Sequence, residues 1–165
     1  MTERRNGIKR TGAADDPGPL AALDPGRSKC GLVRCDVAAT RILAAGVLEP
    51  EHCRQLLRHW QQQGLIQAVL LGDGTGSGAW QRQLAALQLP VVLVPEAGST
   101  LAARQRYWQL EPPRGWRRLL PQGLRLPPRD VDDVVAQLLL ERHLGHGLER
   151  RSAEWLPRLR TSPAR

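Results

Sequence analysis

Acids stand at five places where a strand would end or a helix begin: Asp24 in Asp24-Pro25-Gly26, Asp73 between Gly72 and Gly74, Glu96 after the apolar run closing at Val94, and the neighbours Asp132 and Asp133. Gathered together, such carboxylates suit phosphodiester hydrolysis. That reaction in its two-metal form needs several of them around cations about 3.5–4 Å apart, which activate water and stabilise the leaving oxygen. The cations also relieve the repulsion that would otherwise raise the carboxylate pKa values. Taken singly, each acid has an ordinary structural role. Asp24 before Pro-Gly and Asp73 between glycines suit turns, and Glu96 is a loop acid. Asp132 and Asp133 complement a helix dipole. Only a fold that brings them together makes them a site.

The hydrophobic pattern supplies such a fold. Pro19–Leu23, Val33–Val37 and Arg41–Leu48 read as three strands of an antiparallel meander. Pro50 opens a helix whose face is Cys53, Leu56, Leu57 and Trp60, and Gly64 can end it. The apolar run 65–71 is a buried strand stopped by Gly72-Asp73-Gly74. Trp80, Leu84 and Leu87 mark a second helix, and Pro90–Val94 another buried strand. Ser99 or Thr100 can cap a third helix; residues 112–129 read as a loop; Asp130 can cap a last helix running to about Leu144. This order predicts an α/β fold around a five-stranded mixed sheet, strand order 3-2-1-4-5, with strand 2 antiparallel. The carboxyl ends of strands 1, 4 and 5 then converge, and with them Asp24, Asp73 and Glu96. Residues 1–17 read as a disordered basic arm, 18–145 as the domain, and 146–165 as a polar, disordered tail.

The formal net charge is +8, and every basic residue except Lys9 and Lys29 is an arginine. Guanidinium forks match phosphate oxygens, so a polyanionic partner is expected; solvated arginines on tails would give the same balance. Arg104, Arg106, Arg114, Arg117, Arg118, Arg125 and Arg129 cluster in a segment opposed only by Glu111 and Asp130. Tyr107, Trp108 and Trp116 are interleaved with them. Trp108 reads as core, whereas Trp116 is placed to stack on an unpaired base. Lys29, close to Asp24 in sequence, could hold a scissile phosphate. Cys30, Cys35 and Cys53 form no zinc spacing, and the histidines show no ligand pattern. Cys30 and Cys35 read as small buried hydrophobes. No apolar run reaches the roughly 18–20 residues of a membrane helix, so no membrane partner and a cytoplasmic location are expected, as monomer or homodimer.

The segment Asp24-Pro25-Gly26-Arg27-Ser28-Lys29-Cys30-Gly31 resembles the first motif of the YqgF (RuvX) family, nearest its cyanobacterial branch. The resemblance continues through Leu70-Leu71-Gly72-Asp73, Arg104-Gln105-Arg106-Tyr107-Trp108, Leu119-Leu120-Pro121-Gln122-Gly123, and Pro127-Pro128-Arg129 with Val131-Asp132-Asp133-Val134. It implies an RNase H-like fold over roughly residues 19–145. The implied activity is a Mg²⁺- or Mn²⁺-dependent nuclease processing precursor 16S rRNA, related to Holliday-junction resolvases. It further implies Asp24, Glu96 and Asp132 as catalytic and metal-binding acids, with Asp73, Asp133 and Lys29 as accessories. The family's Asp-Glu-Arg motif keeps only its Glu, as Glu96; Pro95 and Ala97 stand at the flanking positions. Two other functions remain open: a resolvase-like nuclease on branched DNA, and a non-catalytic RNA-binding ribosome-assembly factor on a decayed nuclease fold.

Overall fold

A computed structural model describes residues 18–157. The basic arm expected over 1–17 and the end of the tail, 158–165, lie outside the described residues. Strands β1 (Leu20–Asp24), β2 (Cys30–Cys35) and β3 (Ile42–Leu48) form the meander. Then follow α1 (Pro50–Gln62), β4 (Ala68–Gly72), α2 (Ser77–Ala86), β5 (Val91–Val94) and α3 (Ser99–Leu110). Two short 3-10 turns, Gly115–Leu119 and Gln122–Leu124, interrupt the long loop before α4 (Asp132–Leu144), and β6 (Glu154–Trp155) closes the fold.

The sheet order is β5-β4-β1-β2-β3-β6. β2 is antiparallel to both β1 and β3, while β4 pairs parallel with β1 and β5. This is the expected α/β arrangement, order 3-2-1-4-5 with strand 2 antiparallel, and one strand is added outside β3. Side-chain alternation along β1 explains why helices cover both faces. Ala21 and Leu23 join Leu57, Trp60, Trp80 and Leu84 of α1 and α2. Leu20 and Ala22 join Ala136, Leu139 and Leu140 of α4. The alanines of this central strand let both layers pack close, and each buried leucine around them contributes roughly 1.5–3 kcal/mol. Helix α3 packs on α4 through Ala103, Tyr107, Val134 and Val135.

Several boundaries move. β2 begins at Cys30 rather than Val33, because Gly31 and Leu32 continue the ladder against β1, and Val37 lies exposed beyond its end. β4 begins at Ala68 rather than Leu65, which closes the α1 turn by donating its N–H to the Trp60 carbonyl. Gly98 (φ 72°), not Ser99 or Thr100, sits at the cap of α3, and Val131 rather than Asp130 at that of α4.

The largest correction concerns the C-terminal segment. Residues expected to leave the domain at 146 return to it: Leu148 and Leu156 are buried, and β6 pairs parallel with β3 through Ala44 and Ala45. A Cβ on Gly46 would meet the Leu156 Cβ at 2.8 Å, so the glycine is what admits this segment. A two-residue strand flanked by arginines carries too little apolar periodicity to announce itself in sequence. Its anchors, Leu148 and Leu156, are isolated.

Candidate active site

Asp24 is the last residue of β1 and pairs with Gly31 of β2. Alternation puts its side chain on the α4 face, opposite Leu23. Gly31 is pressed against the first turn of α4, where a Cβ would collide with the Asp132 carbonyl oxygen and carbon. Missing one side chain, β2 thus lets α4 bring Asp132 beside the end of β1.

Glu96 lies two residues beyond β5. Its backbone N–H donates to Asp73 Oδ1 at 2.9 Å, and the Asp73 N–H donates to the Val94 carbonyl at 3.1 Å. The Arg142 guanidinium holds the same loop from α4. It donates to the Pro95 carbonyl at 2.7 Å, the Ala97 carbonyl at 3.2 Å and Ser99 Oγ at 2.8 Å. The Glu96 carboxylate lies directly over Gly72 and Gly74, and a Cβ at either position would run into it. It also lines an open cleft of about 520 Å³ with Pro25, Gly26, Gly74, Thr75 and Trp80.

Burial pushes the Asp24 carboxyl up to about 7; the Glu96 and Asp132 carboxylates and a hydrogen bond shared with Glu96 add to the rise. Burial also raises Asp132, and Lys29 opposes that rise. Glu96 Oε1 is buried without a hydrogen-bond partner. Among the described residues, no three carboxylate, histidine or cysteine side chains are spaced, as they stand, to hold a metal ion. The Asp24 and Glu96 carboxyls crowd each other, and that repulsion adds to the rise at Asp24. The three half-buried acids offer oxygen donors only, the ligand type a hard divalent cation takes, and their side chains would have to draw closer to hold one.

The accessory acids separate. Asp73 sits beside the site as a support for the Glu96 loop. Asp133 does not belong to the site: its carboxylate is fully buried, bonded to Arg129 at 2.7 Å and to Arg150. One helical position turns the side chain by about 100°, away from Asp132. Lys29 pairs with Asp130 at 2.6 Å and lies 4.0 Å from Asp132 Oδ2.

The basic segment divides likewise. Arg114, Arg118 and Arg104 are exposed, and Arg117 lies over the ring of Trp116, which is 65% exposed. Arg125 folds back on the Leu120 and Arg118 carbonyls and clamps the loop. Arg129 is held by Asp133 and Glu111, and Arg106 by Glu141. For Arg125 and Arg129 the expected phosphate contact therefore gives way to structural pairing. Trp108, half-buried, donates its Nε1–H to the Arg125 carbonyl at 2.9 Å.

The solved structures similar to this chain include two of RuvC. One is T. thermophilus RuvC in complex with Holliday junction substrate, 17% identical, matched over 78% of this chain and 96% of that one with a TM-score of 0.48. The other is Thermus thermophilus RuvC, 17% identical, over 77% and 96%, with a TM-score of 0.40. No protein-family model and no curated protein matches the chain. No helix among the described residues is long and apolar enough to cross a membrane.

Sequence reasoning missed Arg142, Arg150 and Trp155. Arg142 lies in the last turn of α4 with nothing local to mark its partners, two of which are backbone carbonyls across the sheet end. Arg150 and Trp155 belong to the segment expected to be a tail.

Proposed function

We propose that this protein is a metal-dependent nuclease that hydrolyses phosphodiester bonds at the ends of precursor 16S rRNA in the cytoplasm. The observation that carries the reading is the gathering of Asp24, Glu96 and Asp132 from three separate elements, with Asp24 still holding its proton near neutrality. A fold gains nothing from burying mutually repelling acids, and such perturbed groups concentrate at functional sites. Asp24, Glu96 and Asp132 would hold Mg²⁺ or Mn²⁺. Bound there, the cation would activate water and stabilise the leaving oxygen.

The chain's own residues do the rest. Asp73 and Arg142 fix the loop that aims Glu96. Lys29 keeps Asp132 turned toward the site and offers positive charge to a phosphate. Arg114, Arg117 and Arg118 bind the flanking backbone, and Trp116 stacks on a base. The choice of ribosomal RNA rests on the ordered motifs from Asp24 to Ala136 that resemble the YqgF family. A second reading, a non-catalytic RNA-binding assembly factor, is favoured by Pro95 and Ala97, which put no charged side chain beside Glu96.

Labelled single-stranded RNA, precursor 16S ends and a DNA four-way junction, each with Mg²⁺ and with EDTA, test the proposal. Metal-dependent cleavage of the precursor ends is expected. Preferred cutting of the junction would transfer the function to branched DNA. Binding without cleavage under either metal would make the protein an assembly factor.

A further inference from the structure

The segment that returns to the sheet carries an exposed aromatic ring at the sheet edge. Trp155 is 52% exposed and, with Val47, Pro127, Pro128, Arg129 and Asp130, lines an open cleft of about 700 Å³. Small-molecule sites span roughly 300–1,000 Å³. The cleft is linked to the candidate active site through Lys29. Its wall residue Asp130 pairs with Lys29 at 2.6 Å, and the same ammonium lies 4.0 Å from Asp132.

The ring is held rigidly. The Arg129 guanidinium lies 4.8 Å from its centroid and that of Arg150 5.8 Å, and Asp133 fixes both cations. An indole flanked by two ion-paired arginines, half open to solvent and faced by two prolines, is a stacking platform. Base–aromatic stacking is tolerant of base identity because every base has a π-face.

We propose that this cleft takes an unpaired nucleobase of the substrate strand, stacked on Trp155 a short way along the strand from the phosphate to be cut. The proposal rests on the nuclease reading and deepens it. A base inside a duplex is covered on both faces, so the cleft selects single-stranded ends or splayed bases near the cut.

The test uses the full chain in EDTA with RNA oligonucleotides carrying 2-aminopurine at successive positions, single-stranded or annealed. Fluorescence quenching at one position in the single strand and none in the duplex is expected. Trp155→Ala should abolish that quenching and weaken single-strand binding about tenfold, within the range found for removing one stacking ring. Trp155→Phe should keep most of both. Trp155→Leu keeps apolar bulk against the sheet edge without an aromatic face; it should behave as the alanine variant, and it replaces that variant if alanine lowers the melting temperature. Trp116→Ala should leave quenching at that position in place. Unchanged quenching and affinity in Trp155→Leu, or equal quenching in the duplex, overturns the proposal. Cleavage that needs Asp24 yet ignores Trp155→Leu overturns the cleft and leaves the nuclease reading standing. Absence of both binding and cleavage removes the two together.

Discussion

The Asp73 carboxylate accepts the Glu96 backbone N–H at 2.9 Å, so an acid at the end of β4 sets the position of an acid after β5. Asp73 acts through Glu96 rather than on substrate. Asp73→Ala should therefore lower kcat with little change in KM, by about a hundredfold if the Glu96 carboxylate moves by an ångström. Asp73→Asn keeps an acceptor oxygen and should retain most of the activity. Steady-state kinetics on a cleavable RNA checks the split, and a KM effect alone would place Asp73 against substrate instead.

Asp133 gives the opposite kind of result. Its buried carboxylate joins Arg129 of the long loop to Arg150 of the C-terminal segment. Asp133→Ala would take the carboxylate partner from the largely buried Arg150 and leave Arg129 with Glu111 alone, a loss of about 3–5 kcal/mol by analogy with other broken buried pairs. Chemical denaturation should show that loss. Any activity deficit should track the unfolded fraction.

The acids were legible as types and positions, and so was the order of the five main strands, because period-two and period-3.6 patterns are written locally. The family resemblance ranked Asp132 above Asp133, but pattern alone did not, because the helix phase that divides them is set against Gly31, about a hundred residues upstream. The arginines misled for a related reason. Sequence shows that Arg125 and Arg129 are basic, but not that carbonyls of the same loop and a buried Asp133 consume their donors. The placement of Trp155 was invisible because its neighbours, Val47 and Pro127, come from distant segments.

Among the loop arginines, Arg114, Arg117 and Arg118 are therefore the ones expected to meet phosphate. Replacing all three with glutamine should reduce the slope of log affinity against log salt by about two to three units. Arg125→Gln should leave that slope nearly unchanged and loosen the loop, because it removes bonds to the Leu120 and Arg118 carbonyls. Titrations at several salt concentrations measure both. Equal slopes for the triple variant and the wild type would exclude this loop from the phosphate path.

Asp24 couples stability, pH and metal in directions that can be separated. Its carboxyl is raised from 3.8 to about 7 in the folded chain, so the folded state holds the proton more tightly than the unfolded one. The resulting stability is fully present below about pH 4 and is lost as pH rises through about 7. In EDTA the wild type should lose stability across this window, by at most on the order of 4 kcal/mol. Asp24→Asn cannot titrate and should lose little, so above pH 7 it should be the more stable protein. Mg²⁺ at a hundred times its Kd should restore about 2.7 kcal/mol to the wild type and much less to the variant. Activity should move the other way, with Asp24→Asn slower by roughly a hundredfold or more. Denaturation at pH 4 and pH 8, with and without Mg²⁺, reads all four corners. A variant less stable than wild type in EDTA at pH 8 would mean that the Asp24 carboxylate serves the fold rather than a cation.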